Sequence, residues 1–261
     1  MTAQRRRTAG LRLVYGDRVN LHLDPGPGAL IFSNWLRLNP QKLDAILVSH
    51  SHPDHYCDAE VLIEAMSHGT TQKRGLVVAP RSVLKGNEVC GPAISRYHQS
   101  LVGEIVELAA GYKTQLEELS IAATGARHSD PDAVGFRIGL PYLGDVAYTS
   151  DTELFDGIEE YYRGVRVLIL CTIRPRGAPL PLHLSVDDAI RLVGSVGPGC
   201  AILTGFGMRM LAAKPQVEAE AMEKETGIPT VAAEDSTQLI VGENIEVRSR
   251  KKEAVMKVIE A

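Results

Sequence analysis

The chain has little cysteine, no apolar run long enough to span a bilayer and no surplus of positive charge. Its four cysteines, Cys57, Cys90, Cys171 and Cys200, include no Cys-x-x-Cys pair. That spacing excludes a disulfide framework and fits a reducing cytoplasm, with thiols that are buried or free. The longest strongly apolar stretch, residues 165–173, has the length of a buried strand rather than a membrane helix. No apolar segment follows the N-terminal charges, so no signal peptide is expected. A net charge of −4 argues against a protein built to coat nucleic acid. The basic triplets Arg5-Arg6-Arg7 and Arg250-Lys251-Lys252 read as solvated ends. No internal repeat is visible, and the only linker-like segment is the loop 174–182.

What is present is an ordinary globular composition over 261 residues, enough for a substantial core. We read it as a single domain over residues 1–261. Strands are expected at 11–15 and 19–23, the second stopped by Asp24-Pro25-Gly26-Pro27-Gly28, because glycine and proline at that density make a rigid turn. A helix at 29–38, a strand at 45–48 and a helix at 59–67 follow. Strands are then expected at 75–79, 105–108 and 120–124, and a pair at 134–140 and 146–149. The second half reads as a strand at 165–171, then a helix at 185–196 with Ser185 as cap and Asp187 and Asp188 in its first turn. A strand at 201–204, a helix at 217–226 stopped by Gly227, and strands at 228–232 and 238–241 close the series. Short strands with helices between and after them predict an α/β αββα sandwich, two sheets packed face to face with helices outside.

The densest chemistry is Ser49-His50-Ser51-His52-Pro53-Asp54-His55, directly after the apolar strand at 45–48. It holds three of the chain's eight histidines. Side chains alternate along a strand, so His50 and His52 point the same way, and a turn at Pro53 can bring Asp54 and His55 beside them. Neutral imidazoles with a carboxylate are the donors that zinc prefers. Cys57 is close enough to reach such an ion but is expected simply to pack.

Three later residues stand where strands run into polar turns: His128 in Ala126-Arg127-His128-Ser129-Asp130, Asp151 in Thr149-Ser150-Asp151, and His183 in Pro181-Leu182-His183-Leu184-Ser185. Each alone reads equally well as a turn former or a loop residue. Their order after the histidine cluster is what gives them weight.

The series His50-x-His52-x-Asp54-His55, His128, Asp151 resembles the metallo-β-lactamase superfamily, and its layout is most similar to the phosphodiesterase branch that includes tRNase Z. Asp24 matches the upstream aspartate that buttresses the ligand loop there. The resemblance implies that His50, His52 and His128 hold a first ion, that Asp54 and His55 hold a second, and that Asp151 bridges the two. It departs at Leu203-Thr204-Gly205-Phe206, where the family carries its last metal histidine. Glycine has no side chain to offer, so the second ion is expected to be weak, to take water there, or to draw in His183. On that basis Gly205→His would be expected to raise metal content.

Zinc lowers the pKa of bound water to about 7, and two ions about 3.5–4 Å apart can hold a hydroxide between them. The expected cofactor is therefore one or two Zn2+ ions, with manganese or iron as alternatives, and the expected function is hydrolysis by a metal-bound hydroxide. Asp54 would orient that hydroxide, and His183, if it stays off the metal, would protonate the leaving alkoxide. Arg127, Arg174, Arg176 and Arg209 are cations suited to phosphate, which favours a small or cyclic phosphodiester as substrate. No long insertion resembling a tRNA-clamping arm is visible, so nucleic acid is the less favoured partner; a membrane partner is not expected, and a homo-oligomer is compatible with the sequence. The alternatives are a carboxyl-ester, lactone or thioester hydrolase on the same centre, and a degenerate member that binds metal without turnover.

Overall fold

The computed structural model describes residues 5–88, 90–249 and 254–259. The chain falls into two compact units, the first taking in residues up to 117 together with 130–134, the second 118–129 and everything from 135 onward.

The first unit is built on the sheet β1 (Leu11–Tyr15), β2 (Val19–Leu23), β3 (Ala45–Leu47), β4 (Leu76–Ala79) and β5 (Glu104–Glu107), in that spatial order. β1 and β2 form an antiparallel pair, and the remaining neighbours run parallel. Every residue of β3 and β4 is buried, as expected of parallel strands covered on both faces. Helices α1 (Ala29–Trp35), α2 (Pro53–Tyr56), α3 (Ala59–Met66), α4 (Arg81–Leu84) and α5 (Arg96–Ser100) are threaded between the strands. One core joins Ile46 and Val48 to Val77, Ala79 and the inner face of α3, Leu62, Ile63 and Met66. Strand β6 (Lys113–Leu116) follows.

One buried position in this sheet is not apolar. His22 on β2 stands across from Arg12 on β1. The ring is 5% exposed, and neither nitrogen has a hydrogen-bond partner. Burial, reinforced by the Arg12 charge, pushes its pKa down to about 3, so the ring is neutral near pH 7.

In the second unit β7 (Leu119–Gly125), β8 (Val134–Leu140), β9 (Gly144–Tyr148), β10 (Val167–Arg174), β12 (Cys200–Thr204) and β13 (Thr230–Ala232) lie side by side in that order, and the short β11 (Leu184–Ser185) also pairs with β10. β8 and β9 make the expected hairpin, with Phe136 opposite Tyr148. From β9 through β10 and β12 to β13 the strands are parallel. Helix α6 (Val186–Val196) starts with a complete capping box, in which the Ser185 hydroxyl accepts from the Asp188 amide and Asp188 accepts from the Ser185 amide. Its inner residues Val186, Ala189, Leu192 and Val193 pack with Leu168 and Leu170 of β10. After α7 (Met208–Ala212), α8 (Pro215–Thr226) begins with proline at its first turn and ends at Gly227 in the left-handed region.

The expected series of elements stopped at residue 241, and the structure corrects this. β14 (Thr237–Val241), β15 (Ile245–Ser249) and β16 (Ala254–Ile259) form a separate antiparallel sheet. Cys57, expected to pack, is exposed. The Arg7 guanidinium lies 4.0 Å over the Phe32 ring rather than free in solvent, and the basic triplet at 250–252 lies outside the described residues. Among the described residues no helix is long and apolar enough to cross a membrane.

Candidate metal centre

In the first unit the histidine loop leaves the C-terminal end of β3 and is organised by one buried carboxylate. Asp24 follows β2 with φ +48°, and its amide donates to the Leu47 carbonyl at 2.8 Å, which fixes it beside the end of β3. Asp24 Oδ1 accepts from the Ser49 amide at 2.7 Å. Oδ2 accepts from the Ser49 hydroxyl at 2.7 Å and from His55 Nδ1 at 2.8 Å. Because the Ser49 proton goes to Asp24, Ser49 Oγ can only accept from His50 Nδ1, which lies at 2.9 Å. One carboxylate therefore commits the Nδ1 protons of both His50 and His55, one through Ser49 and one directly. Each ring is left with Nε2 as its lone-pair nitrogen, the tautomer that a metal ligand requires.

The rings are gathered as that logic demands. His50 is fully buried, and its ring centre lies 4.7 Å from that of His52 and 4.1 Å from that of His55. His52 is the N-cap residue of α2, with Pro53 in the first turn, so the expected tight turn is a single helical turn that carries Asp54 and His55. Asp54 Oδ2 comes within 3.7 Å of His55 Nε2. The Asp54 backbone also explains one residue of the glycine-proline turn. A Cβ at Gly26 would stand 2.0 Å from the Asp54 carbonyl oxygen, so only glycine lets the two loops approach.

A second carboxylate, unmarked in the sequence reading, braces the same loop from the other side. Asp130 Oδ2 accepts from the Ser51 amide and hydroxyl, both at 2.8 Å, and from the Ser82 hydroxyl at 2.7 Å, while Oδ1 accepts from the Asp132 amide. Burial works to raise the Asp130 pKa. The hydrogen bonds from Ser82, Ser51 and Asp132 outweigh it and hold the carboxyl below its usual range. Its position two residues after His128, in a Ser-Asp-Pro turn, was the only signal available.

The second unit brings His128, Asp151 and His183 together, with one ligand atom of each within 4.8 Å of the others. His128 follows β7, Asp151 follows β9, and His183 immediately precedes β11. The two imidazoles meet edge to face, ring centres 4.8 Å apart. His128 Nδ1 donates to the Leu182 carbonyl at 2.9 Å and His183 Nδ1 to the Pro181 carbonyl at 3.0 Å. Both rings thus keep Nε2 as the lone-pair nitrogen, and His183 Nε2 stands 3.8 Å from Asp151 Oδ2.

Gly205, after β12, has φ +67°, and a Cβ there would meet Cα, Cβ and Sγ of Cys171 at 3.1–3.2 Å. The backbone at this position is built for glycine, which alters the expected outcome of replacing it by histidine. Of the four arginines, Arg176 pairs with Glu225 at 3.1 Å and Arg127 stacks 4.6 Å from the Phe155 ring centre. Arg174 differs: its Nε is buried without a hydrogen-bond partner, beside a register shift where β10 meets β11. Such irregularities re-aim side chains and are common next to active sites.

The donor chemistry fits a divalent metal in both units. A β-lactamase superfamily domain matches residues 19–206, a span that takes in both donor sets and Gly205. The chain is 38% identical over 232 residues to the uncharacterized protein MJ1374 of Methanocaldococcus jannaschii, covering 88% of this chain and 86% of that protein. It is 31% identical over 153 residues to Ribonuclease Z of Thermococcus kodakarensis, covering 58% of this chain and 44% of that enzyme. A diphosphatase of the PhnP family shares the fold at a TM-score of 0.64 and 19% identity, covering 88% of this chain and 82% of that one. The chain belongs to the metallo-β-lactamase superfamily of hydrolases and has its α/β fold with two mixed sheets.

Proposed function

We propose that the protein is a metal-dependent hydrolase of a small or cyclic phosphodiester. The residues that would hold metal are His50, His52, Asp54 and His55 in the first unit and His128 and Asp151 in the second. Zinc is the expected metal, since imidazole and carboxylate donors suit it, with manganese or iron as the alternatives. The observation that carries the reading is the proton bookkeeping at His50, His55 and His128, whose Nδ1 protons are all committed to protein acceptors.

When bound, such ions supply water ionised near neutral pH. The chain's own residues position the reaction. Asp54 orients the attacking water, and Arg174 offers its unpartnered guanidinium N–H to a phosphate oxygen. The water oxygen forms the new bond to phosphorus, the bond to the leaving oxygen breaks, and that oxygen takes up the proton that the attacking water gives up. The choice of phosphodiester is supported by Arg174 and by the similarity to a ribonuclease Z.

The test is metal content per chain together with hydrolysis of bis(p-nitrophenyl) phosphate and p-nitrophenyl acetate. We expect metal-dependent phosphodiester turnover that His52→Ala abolishes, and that Arg174→Ala lowers by about tenfold or more in kcat/KM, the loss of one charge-assisted hydrogen bond. Turnover of the acetate alone would replace this reading with the carboxyl-ester one. Bound metal without turnover of either would leave only a binding protein.

A further inference from the structure

We infer that His183 is a metal ligand, completing with His128 and Asp151 a donor set within the second unit. The inference rests on the metal-hydrolase reading above and extends it to the place where Gly205 offers nothing.

The Pro181 carbonyl can only accept, so it fixes His183 Nδ1 as the donor and turns Nε2 toward the Asp151 carboxylate, whose Oδ2 stands 3.8 Å away. His128 offers a third ligand atom, all three lying within 4.8 Å of one another. A shared proton would draw the atoms to about 2.7–2.9 Å. A tetrahedral zinc, with ligand bonds of about 2.0–2.2 Å, would hold them about 3.3–3.6 Å apart. The observed 3.8 Å is too long for a shared proton and stands a few tenths of an ångström beyond that ligand spacing.

The loop itself is strained: Leu182 takes φ +63°, a left-handed conformation that a residue with a side chain rarely adopts. That strained residue supplies the carbonyl that orients His128, while Pro181 before it orients His183. Its amide is tied to Glu153 Oε2 at 3.2 Å, and the His183 amide bonds back to the Leu180 carbonyl. One short segment thus sets the tautomer and direction of two imidazoles, the arrangement of outer partners expected around a metal.

At Gly205 the positive φ and the tight approach of Cys171 disfavour a side chain after β12. A ligand for this side of the centre must come from elsewhere in the unit, and His183 is the imidazole already beside Asp151.

The experiment uses full-length protein stripped of metal and titrated with cobalt(II), with His183→Ala and His183→Cys beside the wild type. His183→Ala is expected to bind its weaker cobalt at least tenfold less tightly, and His183→Cys to show the near-ultraviolet charge-transfer band of a cobalt–thiolate bond that the wild type lacks. Unchanged cobalt affinity in His183→Ala, or cobalt binding by His183→Cys without that band, would overturn the assignment while leaving the hydrolase reading intact. A wild type that takes up no cobalt would overturn both.

Discussion

Asp24 Oδ2 accepts the Nδ1 proton of His55 at 2.8 Å, with both side chains buried. The same oxygen takes the Ser49 proton, so this one carboxylate decides which nitrogen of two histidines faces the metal. Asp24→Asn keeps the shape but can donate where only acceptance is tolerated. Metal affinity should fall about 10–100-fold, the usual cost of losing an outer partner. Ser49→Ala, which frees only His50, should lose less. Competition against a chromophoric chelator would measure both, and equal affinities for Asp24→Asn and wild type would refute the role.

Asp130 braces the same loop through Ser51, and its removal should be felt first as instability. Asp130→Ala strands two partly buried amides and two hydroxyls, a loss of about 1–3 kcal/mol even if water satisfies part of it. Urea unfolding of the two apo-proteins would read the difference. An unchanged midpoint would mean the loop holds itself.

His22 gives the fold an acid sensitivity that is independent of the metal. Its pKa is about 3 when folded against an ordinary value of 6.5, so below pH 6.5 the unfolded chain binds a proton that the folded chain refuses. Stability from this group is intact above pH 6.5 and drains away as pH falls toward 3. Between pH 7 and pH 5 the loss should be about 2 kcal/mol. His22→Leu should flatten that part of the pH–stability curve. The same slope in the variant would show that other groups set it.

Gly205→His is now expected to weaken the protein rather than to complete it. The left-handed backbone costs about 1–2 kcal/mol for a side-chain residue, and the Cys171 contact adds to it. Thermal unfolding should shift down, and elemental analysis should find no additional metal per chain. A gain of an ion at unchanged stability would show that the strand end can relax.

Much of this architecture was legible because local chemistry and tertiary packing agree. β1, β2 and β8 fall where alternation and the turn residues place them, α6 begins where Ser185 caps it, and α8 stops at Gly227. β15 was illegible because Glu246 and Arg248 interrupt an apolar run, yet Ile245 and Val247 are buried at alternate positions. β6 is polar along its length. In the site, the ligand-type residues announce themselves by identity. What the sequence could not display is the support: Asp130 reaching Ser51 across 79 positions, and the Pro181 and Leu182 carbonyls, which any residue type would carry.

The chain enters the second unit at 118, returns to the first for 130–134 and leaves again. During synthesis on the ribosome, the loop bearing His50, His52 and His55 therefore emerges well before the carboxylate that steadies it. The first unit is finished only after β7 of the second has been made. A fragment cut at Glu117 would carry three imidazoles of the centre and none of the Asp130 bonds, so the molecule does not divide into two serial halves that could mature one after the other.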